Sequence, residues 1–209
     1  MIHDAAFLIP WQTLVGFLMA AIVLNLTPGA DVMFTVSSGI KGGIPTGIAA
    51  SFGVACGSLF HVTLTTFGLA AVIAASPWVF GLIKWAGVAY LLFLAYTSWT
   101  SEPPTLAVSL GRRHYITAIK QGSITNITNP KVALFVLAFL PQFTDPTLGP
   151  VWLQLLQLGI IFTVSGFVIT SAYGACAGVI GSRLQTYGKQ MNRISAIILG
   201  GLAVRLAWN

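Results

Sequence analysis

The sequence contains very little charge. Lys, Arg, Asp and Glu together make up 7% of its 209 residues, against roughly 25% in an ordinary soluble domain. Hydrophobic residues make up 56% of the chain, and the mean hydropathy is +0.87. So few charged side chains could not cover the surface of a soluble fold of this size. The composition therefore excludes a soluble domain and predicts an all-α polytopic membrane protein surrounded by the lipid bilayer.

Cysteine and recognisable catalytic motifs are scarce or absent as well. Cys56 and Cys176 lie in apolar runs and indicate neither a disulfide framework nor metal-ligand spacing. No nucleophile–base–acid set, P-loop, GxGxxG or metal-ligand cluster is present, so we predict that the protein is not an enzyme and has no cofactor. The ten Lys and Arg residues are scattered in ones and twos, which argues against a nucleic-acid partner. Without an ATP site, active transport would need an ion gradient or a partner.

Long apolar runs are what the sequence does contain. A helix needs about 20 mostly apolar residues to cross a bilayer. Six stretches qualify, at about 11–40, 45–75, 78–99, 117–141, 150–180 and 191–208. Glycine, proline or polar residues separate them, at 41–45, 76–77, 101–114, 141–150 and 182–193. The sequence therefore predicts six transmembrane spans in a single integral membrane domain, 1–209.

The basic residues between the spans predict the orientation. Lys and Arg in short loops mark the cytoplasmic side of a membrane. They lie in the predicted loops 1–2, 3–4 and 5–6, as Lys41, Arg112, Arg113, Arg183, Lys189 and Arg193. Two exceptions, Lys84 and Arg205, lie near span ends, where a long side chain can reach the interface. With six spans, this pattern predicts that both termini are periplasmic.

Two similar breaks interrupt the first and fourth spans. The sequence NLTPG, which begins at Asn25, matches NITNP, which begins at Asn126, about half a chain later. With three spans in each half, the second copy enters the membrane from the opposite side, as in many transporters. The sequence therefore predicts six helices in a 3+3 inverted repeat, with halves of about 1–100 and 115–209 and with spans one and four broken near the bilayer centre.

Each break has the residues that begin a helix. Thr27 is a good N-cap residue before Pro28, and Asn129 stands in the same relation to Pro130. We therefore predict that a half-helix begins inside the membrane at each break. The first N–H groups of such a helix, at the positive end of its dipole, cannot be satisfied by lipid. They must face protein, water or a ligand.

Charged residues stand beside both breaks. Asp31 is the one acidic residue within a predicted span, where a charge is costly and faces the interior of the bundle. It either complements the dipole of its half-helix or binds an ion or proton. Lys131 follows Pro130 in the first turn of a half-helix, where the dipole repels a cation. It therefore either pairs with Asp31 or helps the helix start to bind an anion, such as a substrate carboxylate.

One histidine is also predicted to lie inside a span. His61 occurs in the second apolar stretch, within GSLFHVTLTT. An intramembrane histidine can relay protons, or it can be a hydrogen-bonded packing residue. Both interpretations of His61 remain open at this stage.

Three segments resemble those of one transporter family. They read TPGADVMFTVSSGIKGGIPTGIAASFGVACGSLFH, AASPWVFGLIKWAGVAYLLFLAY and QGSITNITNPKVALFVLAFLPQF. Over nearly its whole length the chain resembles the bacterial lysine-exporter (LysE/RhtB) family of amino-acid efflux proteins. The resemblance implies a six-span exporter of amino acids in the bacterial inner membrane, driven by proton exchange. It also implies that the family's motif positions belong to the site, namely Thr27, Pro28, Gly29, Asp31, Asn129, Pro130, Lys131 and Gln142. The chain departs from the family at Ala30, where a second proline is usual.

Other functions compete with amino-acid export. A passive channel would need no coupling carboxylate, and a membrane-embedded enzyme would need a catalytic set that the sequence lacks. A metal-ion exporter would want several carboxylate, thiol or imidazole ligands, of which the first half offers Asp31, His61 and Cys56. The weakly charged interior slightly favours neutral amino acids over basic ones. The expected partners are an amino-acid substrate, protons and the lipid bilayer, and the sequence is compatible with a homodimer.

Overall fold

The computed structural model describes residues 9–69, 77–100 and 114–208, and those residues form helices and turns without any strand. The first half contains α1 (Trp11–Leu26), α2 (Ala30–Gly42), α3 (Ile44–Leu64) with a π-helical turn (Thr65–Leu69), and α4 (Pro77–Thr100). The second half contains α5 (Tyr115–Ile127), α6 (Pro130–Phe139), 3-10 turns at Leu140–Phe143 and Pro146–Leu148, α7 (Val151–Ala175) and α8 (Ala177–Trp208). The all-α prediction is confirmed for this part of the chain.

The two predicted breaks are present as sharp bends between consecutive helices. α1 and α2 meet at 54°, and α5 meets α6 with its following turn at 54° as well. α3 with its π-helical turn and α7 are long and apolar enough to cross a membrane, and each bent pair can serve as one further span. Two to four of the six predicted spans are thus supported by length and composition. The six-span inverted repeat stays a prediction, and the predicted loop at 101–114 lies almost wholly outside the described residues.

The predicted connector at 182–193 is wrong. The chain turns at Cys176 instead, and α8 then continues without interruption from Ala177 to Trp208. The polar stretch SRLQTYGKQMNR contains good helix formers and no proline, and such a stretch can extend a helix beyond the apolar part of a span. A change from apolar to polar residues therefore does not mark the end of this helix.

Close packing of small residues brings α3 against the second broken pair. α3 packs against both α5 and α7, and α4 packs against α8. A Cβ atom at Gly53 of α3 would overlap the Ile119 carbonyl of α5, and one at Gly57 would meet the Asn126 side chain. The absent side chains let the two helix backbones approach closely, as small residues do between membrane helices. This contact holds the end of α5, and therefore the second break, in the middle of the bundle.

The start of α1 and the end of α8 lie at the same end of the bundle, because Gln12 and Leu206 line one cavity there. The periplasmic location of both termini stays a prediction.

Candidate functional site

The first break differs from its prediction in detail. α1 ends at Leu26, and α2 begins at Ala30 with Gly29 as its N-terminal flanking residue. Thr27 is therefore not an N-cap and Pro28 is not a first helical residue, so that prediction is wrong. The Thr27 hydroxyl donates backward to the Val23 carbonyl at 2.7 Å and helps to end α1. Pro28 keeps the preceding residue extended, with ψ of 120° at Thr27, so the chain needs two further residues before a helix can start.

The second break agrees with its prediction. α6 begins at Pro130, and the Asn129 side-chain oxygen accepts a hydrogen bond from the Lys131 amide at 3.0 Å. This contact is a regular N-cap bond, with proline at the first helical position where its missing N–H costs nothing. Asn129 therefore satisfies one of the amides that a helix start leaves unpaired inside the bundle.

Asp31 is held by the second break. One of its carboxylate oxygens, Oδ2, accepts hydrogen bonds from the Asn129 amide at 2.8 Å and from the Asn126 amide at 3.0 Å. Its other oxygen, Oδ1, is buried and has no partner among the described residues. Asp31 also lies in the first turn of α2, where the helix dipole favours a negative charge. The carboxylate is therefore firmly oriented but keeps one oxygen available for a donor.

Lys131 is held by the first break. Its ammonium group donates to the carbonyl of Leu24 at 2.8 Å and to that of Thr27 at 2.9 Å. These carbonyls belong to the C-terminal end of α1, where the helix dipole is negative and attracts a cation. No ion pair joins Lys131 to Asp31 in the described part of the chain, so of the two alternatives for Lys131 the direct pair is not the one observed. An ammonium group has three donors, and two of them are used here.

Two other predicted residues join a break to a neighbouring helix. His61 is buried, and its Nε2 atom lies 3.1 Å from the Asn126 carbonyl oxygen. His61 therefore positions the residue that holds Asp31, and this contact favours the packing interpretation over a proton relay. Asn25 lies at the equivalent place in the first break, where its amide donates to the Ser165 hydroxyl at 3.2 Å.

Two cavities meet at the breaks. A small one of about 30 Å³ lies between α1, α3, α5 and α7 and is lined by Asp31, Asn25 and Asn126. A larger one of about 400 Å³ lies toward α4 and α8. Thr27, Gly29, Asn129 and Lys131 line both cavities and form the partition between them. The small cavity has room for about two water molecules, since about 10–15 Å³ of such volume holds one, so the site is closed around its polar groups.

Nine of the eleven predicted site residues are therefore brought together, and His61, which lines neither cavity, contacts them through Asn126. Asn25, Thr27, Pro28, Gly29, Asp31, Asn126, Asn129, Pro130 and Lys131 all line the two cavities at the breaks. Gln142 does not; it lies at the far end of α6, in a third cavity.

Polar residues of α7 also lie near the first break, and none of them is among the predicted site residues. The Tyr173 hydroxyl donates to the Leu26 carbonyl at 3.0 Å. The Thr163 hydroxyl shares a hydrogen bond of 3.0 Å with the Ser58 hydroxyl of α3. A signal was available, because Thr163, Gly166 and Thr170 recur at helical spacing in an otherwise apolar run and all line the small cavity.

Comparison with known proteins gives the family. The model of the LysE-type translocators matches residues 22–209. The chain belongs to the LysE-type translocator family. A homoserine/homoserine lactone efflux protein of Salmonella typhimurium is 31% identical over 166 residues, which cover 78% of this chain and 79% of that protein. A leucine efflux protein of an Enterobacter species is 28% identical over 202 residues, or 94% of each chain.

A membrane protein of Vibrio cholerae without an assigned function is also similar, with 31% identity over 195 residues that cover 92% of this chain and 95% of that protein. No solved structure matches the chain. Membership of a translocator family and similarity to two efflux proteins identify this LysE-type chain as a membrane protein related to amino-acid efflux transporters, which agrees with the prediction that it is not an enzyme.

Proposed function

We propose that this LysE-type protein exports neutral amino acids across the bacterial inner membrane in exchange for protons, through a site formed by the two breaks. The names of the similar proteins suggest homoserine, its lactone and leucine as the kind of substrate. The observation that carries the proposal is the pair of incompletely bonded charged side chains at the two breaks. Asp31 keeps one carboxylate oxygen without a partner, and Lys131 keeps one of three ammonium donors.

Those two groups are complementary to an amino acid. A free amino acid carries an ammonium group and a carboxylate on the same carbon, so it needs one acceptor and one donor at short separation. Asp31 can receive the ammonium group, and Lys131 can receive the carboxylate by a charge-assisted hydrogen bond. The site carries one acidic and one basic side chain, which balances the charges of a neutral amino acid and leaves no partner for an additional charged side chain. This balance favours neutral substrates over basic ones.

Proton exchange is assigned to Asp31. Asp31 and Asp145 are the acids among the described residues, and Asp145 is exposed in the connection before α7. A protonated Asp31 loses its attraction for the substrate ammonium group, so proton binding and substrate binding exclude each other at this carboxylate. Such competition is the minimum requirement for an exchanger, because it links the movement of one ligand to that of the other.

The wider architecture of the proposal is a six-span inverted repeat within one domain, 1–209, with both termini periplasmic. Two features support the repeat. The bends are equal, and Asp31 and Lys131 are each the second residue of a half-helix. In such transporters the substrate site lies at the interface of the repeats, where broken helices meet.

Transport in proteoliposomes tests the proposal. We expect proteoliposomes that contain the purified protein to accumulate labelled homoserine, threonine or leucine when a pH gradient is imposed. They should transport lysine poorly. Asp31→Asn and Lys131→Met should each lower the gradient-driven rate by about tenfold or more, since hydrogen bonds to charged groups contribute about 1.5–3 kcal/mol. Matched controls are Asp145→Asn, a loop acid whose pKa is lowered by hydrogen bonds from Thr147, and Lys120→Met, which removes an exposed lysine of α5.

Two outcomes would contradict the proposal. A flux that persists unchanged after the proton gradient is collapsed would indicate a passive channel. Wild-type rates for Lys131→Met, at equal amounts of protein in the membrane, would remove Lys131 from the substrate site.

A further inference from the structure

A third cavity, of about 310 Å³, lies at the far end of the bundle from the large cavity, between the start of α1, the turn after α6 and the end of α8. Gln142 of that turn and Arg205 of α8 line it. Gln142 lies eleven positions after Lys131 along the chain, which corresponds to about 16 Å in a helix. The cavity is therefore distinct from the two cavities at the breaks.

Arg205 gives this cavity a positive charge that no acid among the described residues balances. Its guanidinium group lies 5.8 Å from the centre of the Phe143 ring and against Gly16 of α1, where a Cβ atom would lie 3.5 Å from Nη2. The side chain thus lies against α1 at the rim of the cavity and remains exposed. Among the described residues no acid lines the cavity and no ion pair reaches Arg205. An arginine side chain remains charged at all relevant pH values, so the cavity attracts anions.

Gln142 adds a second unused donor. Its amide nitrogen, Nε2, is buried and has no hydrogen-bond partner among the described residues. A buried donor without an acceptor is costly and normally has a partner in native proteins. The remaining polar residues of the lining, Gln12 and Thr13, are neutral. An anion with oxygen acceptors would meet Arg205 directly, and a small movement of the Gln142 side chain would bring its amide to the same acceptors.

An aromatic column separates this cavity from the breaks. Phe135, Phe139 and Phe143 follow one another along α6 and its turn, with ring centres 4.8 Å and 5.0 Å apart. All three are buried. Two cationic groups, Lys131 and Arg205, therefore stand at opposite ends of one apolar barrier. A carboxylate that passes the barrier leaves one cation and meets the other.

We propose that this cavity is an exit-side binding site for the carboxylate of the exported substrate, with Arg205 and Gln142 as its donors. This proposal rests on the proposed export function in one respect, which is that the ligand is the exported amino acid. The site itself is accessible from its own end of the bundle, so its occupancy does not require transport. It acts as a relay that holds the substrate after the aromatic column has opened and closed again.

The test uses chemical modification, which is independent of transport. Thr13→Cys places a reactive thiol at the cavity in a full-length protein that carries Cys56→Ser and Cys176→Ser. The protein is placed in phosphatidylcholine nanodiscs, and its thiol is modified by an anionic or by a cationic methanethiosulfonate reagent. The measured quantity is the rate with the anionic reagent divided by the rate with the cationic one. We expect this ratio to be about tenfold higher when Arg205 is present than in the Arg205→Gln variant. L-leucine should protect the thiol, and leucinamide, which lacks the carboxylate, should not.

Matched variants make the result specific. Arg193→Gln removes another arginine of α8 that lies over an aromatic ring, Trp99, at 5.5 Å, and it should leave both the reagent preference and the protection unchanged. Gln142→Leu should weaken protection by L-leucine by about tenfold. Lys131→Met should lower transport by about tenfold or more but keep the protection, so failure of the export proposal and failure of this one are distinguishable.

Two results would overturn the inference. Equal reagent preference in the wild-type and Arg205→Gln backgrounds would show that Arg205 does not govern the cavity. Protection that appears with phosphatidylglycerol in the nanodiscs, but not with L-leucine, would assign the site to a lipid phosphate instead of a substrate carboxylate.

Discussion

The two breaks have the same bend but different chemistry. Each ends one helix with a threonine whose hydroxyl bonds to the carbonyl four residues earlier, at 2.7 Å for Thr27 and 2.8 Å for Thr128. Each begins the next helix with a charged second residue, Asp31 in the first break and Lys131 in the second. The charges are opposite, and each is held by groups of the other break. The similarity of the backbones therefore does not extend to the roles of the side chains.

The difference shows that the first break depends on the second. Asn129 caps its own half-helix, whereas Gly29 offers no side chain to α2. The Lys131 ammonium group donates hydrogen bonds to carbonyls at the end of α1, and the Asn126 and Asn129 side chains donate to Asp31. The second break thus supplies the side-chain donors that join the two, and the first supplies the acceptors. A helix start that repels its own lysine is tolerated because the lysine head reaches the negative end of another helix.

Exchanging the two charged residues is the strongest test of whether the two breaks are chemically equivalent. If the breaks were equivalent, the double variant Asp31→Lys/Lys131→Asp would retain the site in mirror form. We expect it instead to lose stability by about 3–5 kcal/mol or to fail to accumulate, because the asparagine donors cannot hold an ammonium group and the α1 carbonyls repel a carboxylate. The measurement is the yield of monodisperse protein in mild detergent and its thermal unfolding.

The control for this exchange is Lys120→Glu, which reverses one exposed charge of α5. It should unfold within about 0.5 kcal/mol of wild type, as exposed surface changes do. A charge-exchanged protein of normal stability that still transports would mean that the pseudo-symmetry governs the chemistry as well as the backbone.

What the sequence could predict follows from how local each feature is. Asn129 and Pro130 were assigned correctly because a cap and a first helical proline act within a few residues of each other. The partners of Lys131 could not be predicted, since main-chain carbonyls of α1 are not distinguished by residue type. Thr27 was misassigned because a threonine at a break can either begin the next helix or end the previous one, and the local sequence allows both. The burial of Asp31 was predicted, but its asparagine partners required the three-dimensional contact.

Removing the asparagine donors one at a time sharpens the comparison. Asn126→Ala removes one hydrogen bond to Asp31, which should lower the free energy of unfolding by about 1.5–3 kcal/mol. Asn129→Ala removes a similar bond and also the N-cap of α6, so it should cost about 1 kcal/mol more. Parallel denaturation curves of the two variants in the same detergent measure the difference. Equal destabilisation would indicate that the cap bond of Asn129 contributes nothing.

The smallest expected effect separates the two threonines. In Thr27→Val and Thr128→Val the carbonyl four residues earlier keeps its main-chain partner, at 3.0 Å in both cases, so each change should alter stability by only about 0.5 kcal/mol. The effects of the two changes on transport should differ.

Thr27 lines both cavities at the breaks, whereas Thr128 is exposed and lines neither. The Thr27 hydroxyl oxygen remains able to accept a hydrogen bond from a substrate ammonium group, and losing such a neutral contact raises KM by about three- to tenfold. Measured in the same proteoliposomes, an equal rise in KM for Thr128→Val would place substrate contacts at both threonines and restore the equivalence that the charges contradict.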